Sequence, residues 1–163
     1  MGIIAAVLFG TQEEIMPPGS TLPEIKFVSL NDSGYIKPKD KPLLIVYFKP
    51  DCPHCEYELG EMNKRFDELV DADIYCITAE KEFIRNHGNK EWNNLNNMQN
   101  VVFASVDENE YKNKLGINVT PVFYFFNSAG KLTDKIIGET KFDRLLESIK
   151  KAGGAQHQLS GIN

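Results

Sequence analysis

The chain has 163 residues, of which 42% are hydrophobic and 25% are charged, and its formal net charge is −5. These values are ordinary for one soluble globular domain. The acidic balance and the scattered lysines and arginines exclude the electrostatic footprint of a nucleic-acid-binding protein. No stretch approaches the roughly 20 apolar residues of a membrane span, and three cysteines do not make a disulfide scaffold.

Residues 1–19 are predicted to form an N-terminal arm that ends in the turn signal Pro17-Pro18-Gly19. The apolar run from Ile3 to Phe9 has no basic residue ahead of it, so it lacks the positively charged N-terminal region of a signal peptide. Three interpretations of this run stay open: a trimmed signal remnant, a packed arm, or the end of a preceding domain.

Strands and helices alternate after the arm. Tyr35-Ile36 is predicted to be a short hairpin partner for the first strand. Six segments have the composition of strands, namely residues 25–30, 43–48, 73–78, 101–104, 122–126 and 131–137. Helices are predicted over residues 53–70, 80–97, 108–115 and 142–151. Gly153-Gly154 is expected to stop the last helix, and residues 153–163 are expected to form a flexible C-terminal tail. This order predicts an α/β protein with a mixed central sheet covered on both faces.

The first motif that carries chemistry is Cys52-Pro53-His54-Cys55, at the junction of an apolar strand and a helix. The Cys52 sulfur is expected to face unpaired backbone N–H groups and the positive end of the helix dipole, which both favour the thiolate. Cys55 lies one turn further on, where it can attack a mixed disulfide formed by Cys52. Pro53 fits the first helical turn. His54 adds a positive charge or a hydrogen-bond donor close to the sulfur.

The cysteine pair has two other interpretations. Structural zinc needs four ligands, and Cys76, His87 and His157 do not form a second closely spaced ligand pair. A structural disulfide across so short a loop constrains the unfolded chain very little. A redox dithiol is therefore preferred, and Cys76, inside an apolar strand, is predicted to be a small core residue.

The second motif is Thr120-Pro121, directly before the aromatic strand 122–126. Proline cannot donate a hydrogen bond to a sheet, so it is confined to places such as the first residue of a strand. A cis peptide bond before Pro121 would be uncommon enough to indicate a specific structural role. An ordinary trans proline at the start of a strand is the alternative.

Together the two motifs resemble the thioredoxin superfamily, and most closely its TlpA/ResA-like extracytoplasmic branch. The residues that carry the resemblance are 22–27, 47–55, 116–121 and 125–131. The resemblance implies a thioredoxin-like three-layer α/β/α sandwich over residues 20–152, with a mixed central sheet. It also implies that Cys52 is the attacking cysteine and Cys55 the resolving one. Pro121 would be a cis-proline facing the disulfide, and the backbone of Thr120 would pair with an extended substrate peptide.

Two departures from thioredoxin affect the expected chemistry. Val46 stands at the position of a buried acid, and Asp51 replaces the tryptophan before the first cysteine. A carboxylate at residue 51 opposes thiolate formation at Cys52, whereas His54 and the helix terminus favour it. The Pro-His dipeptide resembles that of DsbA-type oxidants, but the surrounding chain resembles a branch whose members are often reductants. The direction of electron flow therefore stays open.

These features predict a thiol–disulfide oxidoreductase that acts on protein substrates and a redox partner protein, without a metal or organic cofactor. The alternative is a thioredoxin-fold module that binds copper through Cys52, Cys55 and a histidine, or docks a partner protein without turnover. A redoxin-type peroxidase is disfavoured because the expected Thr-rich segment before a lone cysteine is missing.

Three further expectations concern sites and location. Glu80, close after the third strand, is a candidate proton relay. The acidic segment 107–110 is predicted to start a helix rather than to bind a metal, because negative charge is favoured at a helix N-terminus. The resemblance implies an extracytoplasmic, periplasmic location, with membrane anchoring through a missing leader as an option.

Overall fold

A computed structural model describes residues 15–86 and 88–160, so the expectations for residues 1–14, for His87 and for residues 161–163 lie outside the described part. Within the described ranges, seven strands are present: β1 (Lys26–Val28), β2 (Ser33–Tyr35), β3 (Leu43–Tyr47), β4 (Asp73–Thr78), β5 (Val101–Ser105), β6 (Val122–Phe126) and β7 (Leu132–Ile137). The same residues form five α-helices and two 3-10 helices. The α-helices are α1 (Pro53–Lys64), α2 (Lys81–Arg85), α3 (Asn93–Asn96), α4 (Glu108–Lys114) and α5 (Phe142–Ser160), and the 3-10 helices are Phe66–Leu69 and Gly88–Trp92.

The strands form one mixed sheet, as predicted, and their order in it is β2-β1-β5-β4-β3-β6-β7. β3, β4 and β5 run parallel, whereas β6 and β7 form an antiparallel hairpin beside β3. All five residues of β3 are buried, because this apolar strand is central and covered on both faces. The register pairs Tyr47 with Val122, so the end of β3 lies beside the beginning of β6.

Helices cover both faces of the sheet, which confirms the α/β/α arrangement. Alternate residues of β3 point to opposite faces: Val46 joins a core with α1 and α5, and Ile45 joins a core with α4. On the first face, α1 contributes Leu59 and α5 contributes Leu145. Helix α1 packs only into the first of these two cores, so it lies on the face of the sheet opposite to α4.

Two predicted helices are interrupted in the structure. The helix predicted over 53–70 ends at Lys64, and residues 66–69 form a separate 3-10 helix. The segment 80–97 is divided between α2, a 3-10 helix and α3. Asparagine side chains in this segment compete with the backbone for hydrogen bonds, which weakens a continuous helix. Its Trp92 is buried and stacks on Phe103 with ring centroids 5.9 Å apart, as expected for a core residue.

The expectation that Gly153-Gly154 stops the last helix is wrong, because α5 continues to Ser160. Glycine costs a helix interior about 1 kcal/mol relative to alanine, but it does not prevent helical dihedral angles. Gly153 lies against Pro42, and a Cβ atom at residue 153 would be 3.3 Å from the Pro42 Cγ atom. The glycine therefore permits a close approach inside the helix. Flexibility of the tail stays a prediction.

The described end of the predicted arm packs against the sheet edge at β7. Met16 is buried, and the Gly19 N–H donates to the Leu132 carbonyl at 2.8 Å. Thr21 forms an antiparallel bridge with Lys131. Residues 15–22 therefore contact the domain directly.

Gly116 directly follows the C-cap residue of α4, and its conformation generates a stability prediction. Gly116 has φ +79°, and an alanine Cβ atom there would lie 2.5 Å from the Ile15 Cδ1 atom. We expect Gly116→Ala to lower the free energy of unfolding by about 1–2 kcal/mol, the usual cost of a left-handed conformation. Urea titration measures this change. The control is Gly154→Ala in α5, where nothing lies within 4 Å of the new Cβ atom. It should be neutral or stabilising by up to about 1 kcal/mol, and equal losses in both variants would contradict this explanation.

Candidate active site

Cys52 occupies the N-cap position of α1, as the motif predicts. Its backbone is extended, with φ −96° and ψ 113°, and Pro53 begins the helix. The Cys55 N–H donates to the Cys52 Sγ atom at 3.3 Å. The sulfur thereby satisfies a helix N–H group that has no partner within the helix.

The cis Thr120–Pro121 peptide bond lies next to this sulfur. The Thr120 hydroxyl donates to the Cys52 Sγ atom at 3.6 Å, and the Cys52 thiol donates to the Thr120 carbonyl at 3.8 Å. The pairing of β3 with β6 explains why two segments 68 residues apart meet, because it aligns the end of one strand with the start of the other. The structure therefore brings the two predicted motifs into direct contact.

The surroundings of Cys52 favour its thiolate. Burial of the half-buried thiol raises its pKa, but hydrogen bonds from the Cys55 side chain, the Thr120 hydroxyl and the backbone N–H groups of Cys55 and His54 lower it. The net pKa of Cys52 is below its ordinary value. The hydrogen bonds therefore outweigh the burial of the thiol and favour the thiolate, in the direction expected from the helix terminus.

Cys55 has the opposite protonation preference. Its side chain is 1% exposed, and burial, followed by the hydrogen bond with the Cys52 side chain, raises its pKa to about 12. Both cysteines are free thiols in this structure. One sulfur is thus accessible and easily ionised, and its neighbour is buried and protonated.

The position of the thioredoxin buried acid is part of an apolar row. Val46 pairs with Cys76 across β3 and β4, and Cys76 pairs with Phe103 on β5. Cys76 is fully buried, and burial raises the pKa of its thiol. Its predicted role as a core residue is confirmed, and this row supplies no carboxylate below the dithiol.

His54 forms an ion pair that the motif alone does not reveal. Its Nδ1 atom lies 2.5 Å from Glu139 Oε1, in the loop after β7. The side chains are 67% and 46% exposed. The hydrogen bond with Glu139, then its charge, raises the pKa of His54, and the charge of Cys52 adds to the effect. The positive charge expected beside Cys52 is therefore supported by a carboxylate 85 residues away.

A second carboxyl group was missed by the sequence interpretation. Glu58 is 2% exposed and accepts a hydrogen bond from the Thr140 N–H at 2.5 Å. Burial raises the pKa of Glu58, although this hydrogen bond opposes the shift. Its three-residue spacing from Cys55 places both side chains on one face of α1, and that spacing could have identified it.

The remaining candidates lie outside this constellation. Glu80 acts with Glu108 on Tyr47, whose pKa is raised chiefly by burial, and the described contacts do not connect Glu80 with the dithiol. Asp107 caps α4 by accepting from the Glu110 N–H at 2.9 Å, as predicted for a helix start. Among the described residues, no group of three or more His, Cys, Asp or Glu side chains is arranged to hold a metal ion.

The raised pKa of Glu58 predicts a pH dependence of stability. A carboxyl group with a higher pKa in the folded state stabilises the fold below its unfolded pKa, and this contribution is lost as the pH rises through the folded pKa. Glu58→Gln removes the titration. We therefore expect the stability of this variant, relative to the original protein, to increase as the pH rises above about 4.3, the ordinary pKa of a glutamate side chain.

Denaturant titrations at several pH values measure this difference. The control is Glu61→Gln on the same helix, whose partly exposed carboxylate pairs with Lys64 at 2.9 Å. It should show no such increase, because removing an exposed pair has a small effect on stability. Parallel stability curves for Glu58→Gln and the original protein would contradict the explanation.

Comparisons with solved structures reproduce the fold. A peroxiredoxin-like protein from Aquifex aeolicus is 18% identical with a TM-score of 0.70, covering 85% of this chain and 88% of that one. The thioredoxin domain of a thiol-disulfide oxidoreductase from Bacteroides vulgatus is 18% identical with a TM-score of 0.64, covering 83% and 97%. An exposed lipoprotein thioredoxin from Streptococcus pneumoniae is 14% identical with a TM-score of 0.65, covering 79% and 99%. At these identities the likeness shows a shared fold.

The sequence comparisons give one family. No curated protein matches the chain significantly in sequence. The sequence model of the thioredoxin-like domain, however, matches residues 31–153. That range contains the dithiol, the cis-proline and both carboxyl groups of the site. The chain therefore belongs to the thioredoxin-like domain family.

Proposed function

We propose that the protein is a thiol–disulfide oxidoreductase that exchanges disulfides with protein substrates through Cys52 and Cys55. The observation that carries this proposal is the contrast between the two thiols of one helical turn. Cys52 is half-buried with a lowered pKa, and Cys55 is buried with a raised pKa. This is the division between an attacking and a resolving thiol that exchange chemistry requires.

The reductive reaction has two steps. The Cys52 thiolate attacks one sulfur of a substrate disulfide, forming a mixed disulfide and releasing the other sulfur as a thiolate. Cys55 then loses its proton to the solvent and attacks the Cys52 sulfur, which releases the second substrate thiolate and leaves a Cys52–Cys55 disulfide. The substrate gains two electrons and the protein loses two. A redox partner with a dithiol restores the reduced form, and the oxidising reaction is the reverse.

The surface around Thr120 supports a protein substrate. Val119, directly before it, is 58% exposed, and Ile137, which pairs with Val122 at the edge of the site, is 53% exposed. Exposed apolar side chains close to the Thr120–Pro121 backbone suit an extended peptide, which binds by main-chain pairing with side-chain contacts for specificity. We assign peptide binding to Thr120 and Pro121 on this basis.

The TlpA/ResA-like branch and an extracytoplasmic location are part of the proposal. They are supported by the resemblance of the motifs and by the fold shared with an exposed lipoprotein thioredoxin. Within residues 15–86 and 88–160, no helix is long and apolar enough to span a membrane.

Equilibration with glutathione or dithiothreitol buffers tests the proposal and gives the direction of electron flow. A reduction potential near or below about −250 mV would assign a reductant, and about −120 to −180 mV would assign an oxidant or isomerase. A protein that never forms the disulfide but binds Cu(I) stoichiometrically would instead be the binding module considered above. The contact between His54 Nδ1 and Glu139 argues against the copper-binding module, because this ring nitrogen is already used in a hydrogen bond and is not free to bind copper.

The assignment of the two thiols predicts different variant behaviour. Cys52→Ser should reduce the rate of disulfide exchange with a peptide to the background rate measured in buffer without the protein, because the attacking sulfur is lost. Cys55→Ser should accumulate a mixed disulfide with the peptide, measurable by mass spectrometry, because resolution is blocked. Cys76→Ser is the control and should exchange normally. Unchanged exchange by Cys52→Ser would refute the mechanism.

The different pKa values predict selective alkylation. In the reduced native protein, iodoacetamide should modify Cys52 first, with a rate that follows an apparent pKa below about 8.5, since only the thiolate reacts. Cys55 and Cys76 should react only after unfolding, because both are buried. Peptide mapping at several pH values locates the label. Equal labelling of Cys52 and Cys55 at neutral pH would contradict the assignment.

A further inference from the structure

The loop between β7 and α5 is attached to the active site at three successive residues. The Gly138 N–H donates to the Pro121 carbonyl at 2.8 Å. The Thr140 N–H donates to Glu58 Oε1 at 2.5 Å. Between these anchors, Glu139 reaches His54 Nδ1. The backbone on both sides of Glu139 is therefore held by the two elements that carry the dithiol and the cis-proline.

This anchoring distinguishes the Glu139–His54 pair from an ordinary surface ion pair. Exposed pairs are usually weak because two long side chains must be ordered and because solvent screens their charges. Here the backbone of Glu139 is already fixed, and His54 lies in the first turn of α1. A carboxylate can only accept hydrogen bonds, so His54 Nδ1 must carry the hydrogen. The contact thus orients the ring and favours its protonated form.

We propose that Glu139 is a positioning residue of the dithiol site: its carboxylate holds His54 as an imidazolium beside Cys52 and thereby raises the reduction potential of the Cys52–Cys55 pair. This inference rests on the proposed oxidoreductase function. It assigns a role to a residue far from both motifs in sequence, and it makes the His54 charge a property of the folded loop.

The electron balance shows why the potential should rise. The Cys52–Cys55 disulfide takes up two electrons and one proton to give a Cys52 thiolate and a Cys55 thiol. A nearby imidazolium stabilises the thiolate but has no charge to stabilise in the disulfide, so it favours the reduced form. The charge of Cys52 raises the pKa of His54, and by reciprocity the His54 charge stabilises the Cys52 thiolate.

Three titratable groups act on His54, two directly and one through its partner. Glu139 contacts His54 from the loop, the charge of Cys52 at the start of α1 acts on it, and Glu58 on α1 interacts with the charge of Glu139. Without Glu139, His54 should titrate closer to its ordinary pKa of about 6.5 and be largely neutral at about pH 7.5. Removing Glu139 also removes a negative charge, but its contact is with His54 and not with the sulfur, so loss of the imidazolium should dominate.

The test is the reduction potential of Glu139→Gln in glutathione buffers at about pH 7.5. We expect the equilibrium constant for reduction to fall about three- to tenfold, which lowers the potential by about 15–30 mV. The matched control is Asp143→Asn, which removes an 80% exposed carboxylate paired with Arg65 in the first turn of α5. It should leave the potential unchanged.

A double-mutant cycle separates action through His54 from a structural effect of the loop. His54→Gln alone should lower the potential, and adding Glu139→Gln to it should cause no further change. NMR titration should show a lower His54 pKa in Glu139→Gln. An unchanged potential in Glu139→Gln, or the same shift with and without His54, would overturn the role of Glu139 while leaving the oxidoreductase proposal intact. A wild-type protein without a reversible dithiol couple would overturn both.

Discussion

The antiparallel pairing of β3 with β6 is the constraint on which the site depends. Tyr47 lies opposite Val122, so the chain leaving β3 and the chain about to enter β6 emerge at the same edge of the sheet. Cys52 follows the first strand and Thr120 precedes the second, which explains their contact. A shift of the register by one residue would turn the side chains of one strand to the opposite face and exchange the residues that fill the two cores. Core packing and the geometry of the dithiol are therefore consequences of one pairing.

The contrast between the two cysteines follows from their positions on α1. Cys52 is at the N-cap, where backbone N–H groups point towards the sulfur and solvent can reach it. Cys55 is one turn later, on the face that packs against the sheet, where burial disfavours a charge. The same helix therefore stabilises a thiolate at its end and a thiol on its buried side. The apolar row of Val46 and Cys76 beneath them adds no carboxylate.

The loop after β7 supplies a carboxylate that the apolar row beneath the dithiol lacks. Glu139 and the Thr140 N–H connect it with α1 through His54 and Glu58. The carboxyl groups of Glu139 and Glu58 each contact a residue on the other side of the junction between the loop and α1. Their effects on the charges around the dithiol therefore depend on the position of the loop. In this arrangement the electrostatics of the dithiol depend on the junction between β7 and α5 as well as on the motif itself.

The sequence by itself determined the features that arise from local patterns. Apolar strands, the amphipathic character of α1 and the N-cap position of Cys52 can be predicted because side-chain periodicity and capping act within a few residues. Helix ends were predicted less well: α5 passes through Gly153-Gly154, since packing against Pro42 outweighs a weak local preference. Only the tertiary structure decided that Glu139 meets His54 and that Glu58 is buried beneath Thr140. These contacts join residues about 82–85 positions apart, and no local pattern specifies which distant carboxylate will reach a given side chain.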